Sequence, residues 1–200
     1  MKVQYNFYAT LLDGFQSYLS SSEIYQQYYG NSENPKISEE DFEKEQFQSL
    51  IDRINRVPFE SEASDKGTAF NEVIDCIIEN RKSEKWDIVS DKNNNTIVAG
   101  RVKNIEEKQV AQTFGFDLKL SVEIAKYLEG ALTQQFVESV LPTQYGNVRL
   151  YGYIDQLMPF KVVDLKTTKS YKAFKYRNNW QHKVYPFCLL QNDMDITEFE

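Results

Sequence analysis

Cysteine and histidine are nearly absent from this chain, with two cysteines and one histidine in 200 residues. Cys76 and Cys188 lie far apart, and neither has a partner at CxxC spacing. A disulfide framework, a zinc site and an iron–sulfur cluster therefore find no support. Both cysteines have apolar neighbours and read as buried free thiols, which gives a reducing, cytoplasmic location as the expectation. No apolar run approaches the roughly 20 residues that span a bilayer, so a membrane partner is not expected. The opening residues Met1–Asn6 lack the apolar stretch of a secretion signal. Repeats, low-complexity tracts and linkers are also missing, and residues 1–200 read as one domain.

Positive charge is outnumbered by negative, with 23 Lys and Arg against 30 Asp and Glu. The formal net charge is −7, a poor balance for a chain that grips phosphates. The charge is unevenly spread, however. Between Lys161 and Lys183 stand Lys166, Lys169, Lys172, Lys175 and Arg177, opposed only by Asp164. Such a segment in an acidic body is either a local anion site or a solvated face.

Periodicity predicts α+β architecture, a small mixed sheet flanked by helices. Helices are expected from Phe7 to Leu19, from the Ser38 cap to about Arg56, after Gly67, and from Leu118 to Leu128. Residues 20–37, rich in Ser, Asn, Gln and Tyr, read as a loop whose tyrosines pack on the core. Trp86–Val89 and Thr96–Val102 flank an Asn-rich turn and predict a hairpin. The period then changes to two, giving strands at Gln134–Val140, Val148–Leu157 and Lys161–Thr168. A last helix is expected over Lys175–Leu190. A strand starting at Ile196 would break off at the end of the chain, as in a truncated form of a longer protein.

The chemically informative stretch is YGYIDQLMPFKVVDLKTTKSY, residues 151–171. Asp164 and Lys166 are two apart, hence on one face of a strand, and a tight turn at Met158–Phe160 folds Asp155 back beside Asp164. Paired carboxylates repel unless a cation lies between them, and hard divalent ions accept such oxygen ligands. A neighbouring lysine can hold an attacking water or steady charge on a phosphate. The plain structural alternative is an ion pair of Lys166 with Asp164 or Asp155 on a sheet face.

Gly152-Tyr153-Ile154-Asp155 followed by Asp164-Leu165-Lys166-Thr167-Thr168 resembles motifs II and III of the PD-(D/E)XK nucleases. The similarity is to their RecB-like exonuclease branch, which includes phage recombination nucleases. That branch has a Q-x-x-x-Y motif on the next helix, matched here by Gln181 and Tyr185. Gly67-Thr68 matches the opening of its upstream helix, and Tyr8-Ala9-Thr10-Leu11-Leu12-Asp13 its N-terminal start. The resemblance implies a restriction-endonuclease-like core and hydrolysis of DNA phosphodiesters, more exonucleolytic than endonucleolytic. It implies Mg²⁺ or Mn²⁺ on Asp155, Asp164, the Leu165 carbonyl and Asn71, with Lys166 activating the water. Gln181 and Tyr185 would orient Lys166 or the DNA backbone, and Thr167, Thr168, Lys169 and Lys172 would touch phosphates. DNA is the implied partner, in a setting where a phage recombination protein could be a second; no iron–sulfur cluster is expected.

Two departures stand out. Asn71 occupies the family's histidine position, so its uncharged amide oxygen would weaken metal binding, and Glu72 or Asp75 could take its place. Pro186 disfavours helix at Tyr185, so a kink between the two residues of the motif is foreseen. His182 reads as a surface or packing residue. The alternative function is a catalytically weakened nuclease-like module that binds DNA or assembles with partners.

Overall fold

Ser38 opens the most clearly signalled helix: its side chain accepts the Asp41 N–H at 3.1 Å, and Glu39, Glu40 and Asp41 sit at the positive end of the helix dipole. The structure, a computed structural model, describes residues 2–59, 61–105, 108–170 and 175–200. Among the described residues it is a mixed α/β protein with six helices and mixed sheets. Two compact units make up the chain.

The first unit comprises Met1–Phe59, Phe136–Tyr153 and Lys172–Asp195. It begins with strand β1 (Tyr5–Tyr8), followed by helices α1 (Ala9–Leu19), α2 (Ser21–Tyr29) and α3 (Glu39–Ile54). Helix α2 falls in the stretch expected to be a loop. Its Ser- and Tyr-rich sequence has modest intrinsic helix preference, and tertiary packing supplies the difference. Tyr25 is buried, with its ring 5.8 Å from that of Phe42 on α3 and its hydroxyl donating to the Ile37 carbonyl. Tyr25 and Tyr29 pack on the core from a helix, while Tyr28 is 74% exposed. β1 runs parallel to the first half of a long strand, Gly146–Met158, pairing Tyr5 with Val148 and Tyr8 with Tyr151. The last helix of the unit, Gln181–Leu190, starts later than expected and continues through Pro186, which has no N–H to give to the carbonyl four residues back. Val184, Tyr185, Cys188 and Leu189 are its buried side.

The second unit comprises Glu60–Gln135, Ile154–Tyr171 and Ile196–Glu200. Helix α4 (Glu62–Ile78) begins before Gly67, where Ser61 accepts the Ser64 N–H. Its first turns are polar and exposed, so the apolar stripe that announces it starts only at Ala69. Strands β2 (Asp87–Asp91) and β3 (Thr96–Ile105) form the expected hairpin, and β4 (Lys108–Asp117) completes an antiparallel three-stranded sheet. Ala69, Val73, Trp86, Ile97, Ala99 and Phe114 form one buried cluster between α4 and this sheet. α5 (Leu118–Tyr127), capped by Asp117, adds Ala125 and Leu128 to a second cluster with Ile74 and Val163.

β5 (Leu132–Thr143) pairs with β6, the long Gly146–Met158 strand, which passes from the first unit into the second. In the second unit the end of β6 pairs antiparallel with β7 (Lys161–Val163): Gln156 faces Val163 and Met158 faces Lys161. β7 in turn runs parallel to β8 (Glu198–Phe199). The Gln181–Leu190 helix is α6. The expected strand Lys161–Thr168 is therefore cut short at Val163, and Asp164–Thr168 lie beyond it. No helix among the described residues is long and apolar enough to cross a membrane. Cys76 and Cys188 are buried and unbridged, as expected, and burial pushes both thiols up to about 11.

Candidate active site

The β6–β7 register brings the chemistry together. Gln156 pairs with Val163, and one step further along the two chains Asp155 comes across from Asp164. Phe160 makes this reversal with φ 63°, a left-handed conformation that a bulky side chain seldom adopts. The Leu165 N–H donates to Asp155 Oδ2 at 3.2 Å, and the Asp164 N–H donates to the Glu200 carbonyl at 2.9 Å. The residues after β7 are thus held on both sides without belonging to a strand.

Burial raises the Asp155 carboxyl to about 6, and the nearby Asp164 charge pushes in the same direction. Lys166, the Leu165 N–H and a hydrogen bond from the Asn71 side chain oppose the rise. Lys166 Nζ lies 2.5 Å from Asp164 Oδ2, and the Asp164 side chain is only 8% exposed. Two carboxylates, one of them with raised proton affinity, and a lysine occupy one pocket of charge.

Helix α4 completes it. A Cβ on Gly67 would stand 3.3 Å from Thr167 Oγ1, so the missing side chain lets the helix pass close to the Asp164–Thr168 segment. One turn on, the Asn71 amide reaches Asp155. Its Oδ1 atom is buried without a hydrogen-bond partner. An orphaned buried oxygen is costly unless something accepts it. The N–H side of the amide faces Asp155, and a turn of the amide would bring this oxygen toward a hard cation held by the carboxylates. Among the described residues there is no group of three or more His, Cys, Asp or Glu suited to a metal. A cation here would rest on Asp155, Asp164, Asn71 and backbone oxygen.

The other candidates on this helix point elsewhere. Glu72 pairs with Arg81 at 2.7 Å. Asp75, 1% exposed, accepts from Gln156 Nε2 at 3.0 Å and Gln134 Nε2 at 3.1 Å. Gln156 is next to Asp155 on β6 and so faces the opposite side of the strand. This buried Asp75–Gln156–Gln134 network escaped the sequence reading; its one signal was a glutamine inside an apolar strand.

Of the expected phosphate contacts, Thr167 lies against Gly67, Thr168 donates to the Ser170 carbonyl at 2.8 Å, and Lys169 is exposed. Lys172 lies outside the described residues. Lys161, counted in the basic segment, is tied to Glu200 at 2.6 Å.

Gln181 and Tyr185 belong to the first unit. They share one face of α6, with Gln181 Nε2 donating to the Tyr185 hydroxyl at 3.3 Å. A Cβ on Gly152 would stand 2.5 Å from Tyr185 Cε1, which accounts for the glycine before Tyr153. His182 is partly buried, and burial lowers its pKa below the ordinary histidine value. Comparison of the chain with protein-family models, with curated proteins and with solved structures yields no match.

Proposed function

We propose that this protein is a Mg²⁺- or Mn²⁺-dependent DNA nuclease of the PD-(D/E)XK type, with a restriction-endonuclease-like core and exonucleolytic action. The observation that carries this reading is the cluster of Asp155, Asp164 and Lys166, with the Asn71 amide against Asp155. Asp155, Asp164, Asn71 and the Leu165 carbonyl would hold the cation. Bound there, it would supply Lewis acidity toward the phosphate and a more acidic water. Lys166 orients that water and balances charge on the phosphate oxygens, once its ammonium is shared between Asp164 and substrate. Thr167, Thr168, Lys169 and Lys172 supply contacts to the DNA backbone, and Gln181 with Tyr185 positions it. A cytoplasmic setting in DNA recombination or phage DNA processing goes with this activity.

End-labelled single- and double-stranded DNA, incubated with and without Mn²⁺, tests the proposal. Metal-dependent release of mononucleotides is the expected result; intact DNA at all metal concentrations overturns it. One observation favours a second reading, a weakened nuclease-like DNA-binding or assembly module: the fourth ligand position is an uncharged amide. Calorimetric titration separates the two, because a weakened site takes up no Mg²⁺ in the millimolar range.

A further inference from the structure

The first unit carries a row of aromatic side chains on one sheet face that the carboxylate chemistry does not use. Tyr151 and Tyr153 are two apart on β6 and share a face. Tyr8 on β1 is the register partner of Tyr151, with ring centroids 6.1 Å apart. Phe136 on β5 lies 6.3 Å from Tyr151 and 5.2 Å from Tyr153. Phe136 is 46% exposed and Tyr153 60% exposed. Large rings so placed are costly to leave in water.

Two guanidinium groups stand over this row. Arg56 lies 3.8 Å above the Tyr8 ring and hydrogen-bonds to the Tyr151 hydroxyl. Arg149 lies 5.2 Å above the Tyr151 ring and pairs with Glu138. Arg56 adopts φ 57°, the left-handed region that disfavours a side chain. This is the C′ residue of the turn that ends α3, where the Val57 N–H donates to the Asp52 carbonyl and the Arg56 N–H to the Arg53 carbonyl, and it fixes the direction in which the Arg56 side chain leaves the helix. A cleft of about 390 Å³ lined in part by Tyr8, Arg56 and Tyr151 opens beside them.

We propose that this face binds single-stranded DNA. Bases stack on the open rings of Tyr153 and Phe136, and phosphates meet Arg56 and Arg149. Exposed rings accept any unpaired base, whereas paired bases in a duplex keep their faces to themselves. Guanidinium groups laid over tyrosines offer donors whose loss of freedom is already accounted for before phosphate arrives. An acidic peptide would meet the arginines equally well, but would leave the two open rings without stacking partners. Glu138 competes with phosphate for Arg149 and sets a limit on affinity. This surface goes beyond the nuclease reading and needs no metal.

The test is fluorescence anisotropy of a labelled strand of about 15 thymidines in EDTA, where no cleavage occurs. The wild-type chain is expected to bind this strand about tenfold or more tighter than an abasic strand of equal length. Tyr153→Ala and Phe136→Ala should each weaken binding about tenfold, while Tyr153→Trp keeps it. Glu138→Gln should strengthen it severalfold. Unchanged melting temperatures establish that these exposed substitutions leave the fold intact. Equal binding of the abasic strand, tighter binding of an RNA strand, or an unaltered Tyr153→Ala/Phe136→Ala double variant overturns the proposal. So does loss of self-association in place of DNA binding, which assigns the face to a second copy of the chain. Binding without any cleavage in Mn²⁺ would sink the nuclease reading and leave this one standing.

Discussion

The Leu165 N–H donates to the Asp155 carboxylate at 3.2 Å. The carboxylate of one strand thereby holds the residue between Asp164 and Lys166. A short β7 cannot fix the segment beyond its end by ladder bonds, so this contact and the Asp164-to-Glu200 bond do so. The geometry of the candidate site follows from the carboxylate that would also serve in it.

Asp164→Ala and Lys166→Ala are accordingly expected to abolish nuclease activity, with losses of about 100-fold or more. Asp164→Ala should change stability little, because it relieves repulsion with Asp155, whereas Lys166→Ala leaves the 8%-exposed Asp164 unpaired and should cost about 1 to 3 kcal/mol. Cleavage assays beside thermal melts measure both quantities. A large drop in melting temperature with activity retained would assign the pair to structure.

Asn71 is the position where a stronger ligand can be built. Replacing it by histidine should tighten metal binding, and Asn71→Ala should raise the metal concentration needed for half-maximal activity. Its orphaned oxygen is the reason. Isothermal titration with Mn²⁺ on both variants checks this, and identical isotherms would remove α4 from the metal site.

The main geometry of this site was legible in the sequence. Alternation in 148–157 and a proline-containing turn predict that Asp155 returns to Asp164, and the register agrees. The extent of β7 was not legible, because period two continues through Asp164 and Lys166 although the strand ends at Val163. Helix α2 was hidden by its composition, since it depends on Tyr25 packing against Phe42. β4 was missed because polar Gln109, Gln112 and Thr113 dilute the signal of Phe114 and Phe116. The aromatic face was invisible for another reason: its rings come from β1, β5 and β6, far apart in the chain.

Asp75 makes stability depend on pH. Burial raises its carboxyl from 3.8 to about 6, with Glu72 and Glu79 adding to the rise and Gln156 and Gln134 opposing it. The folded state thus holds the proton more tightly than the unfolded state. This stabilisation is complete below about pH 4 and is lost as pH rises through 6. Asp75→Asn should therefore stabilise the protein above pH 6 by about 2 to 3 kcal/mol and have little effect near pH 4. The asparagine oxygen keeps one of the two glutamine donors, and its amide N–H finds an acceptor once the Gln156 amide turns to present Oε1. Urea denaturation at several pH values gives the answer, and a variant less stable at pH 8 than the wild type would refute this.

Gly67 separates helix propensity from site geometry. In the middle of α4 a glycine costs roughly 1 kcal/mol relative to alanine. Added bulk, however, meets Thr167 Oγ1 at 3.3 Å, a contact that must yield by a few tenths of an ångström. The threonine hydroxyl is the end of an exposed side chain and can turn away. Gly67→Ala should consequently stabilise the protein by up to about 1 kcal/mol. It should still lower turnover several-fold, because Thr167 follows Lys166 directly and any shift moves the ammonium. Gly67→Val, with two further carbons, should cost activity more steeply than stability. Combining Gly67→Ala with Thr167→Ser, which removes a methyl group and keeps the hydroxyl, should restore part of the turnover. Thermal melts and single-turnover cleavage on these variants decide the matter. Turnover that follows stability, rather than opposing it, would mean that α4 does not set the position of Lys166.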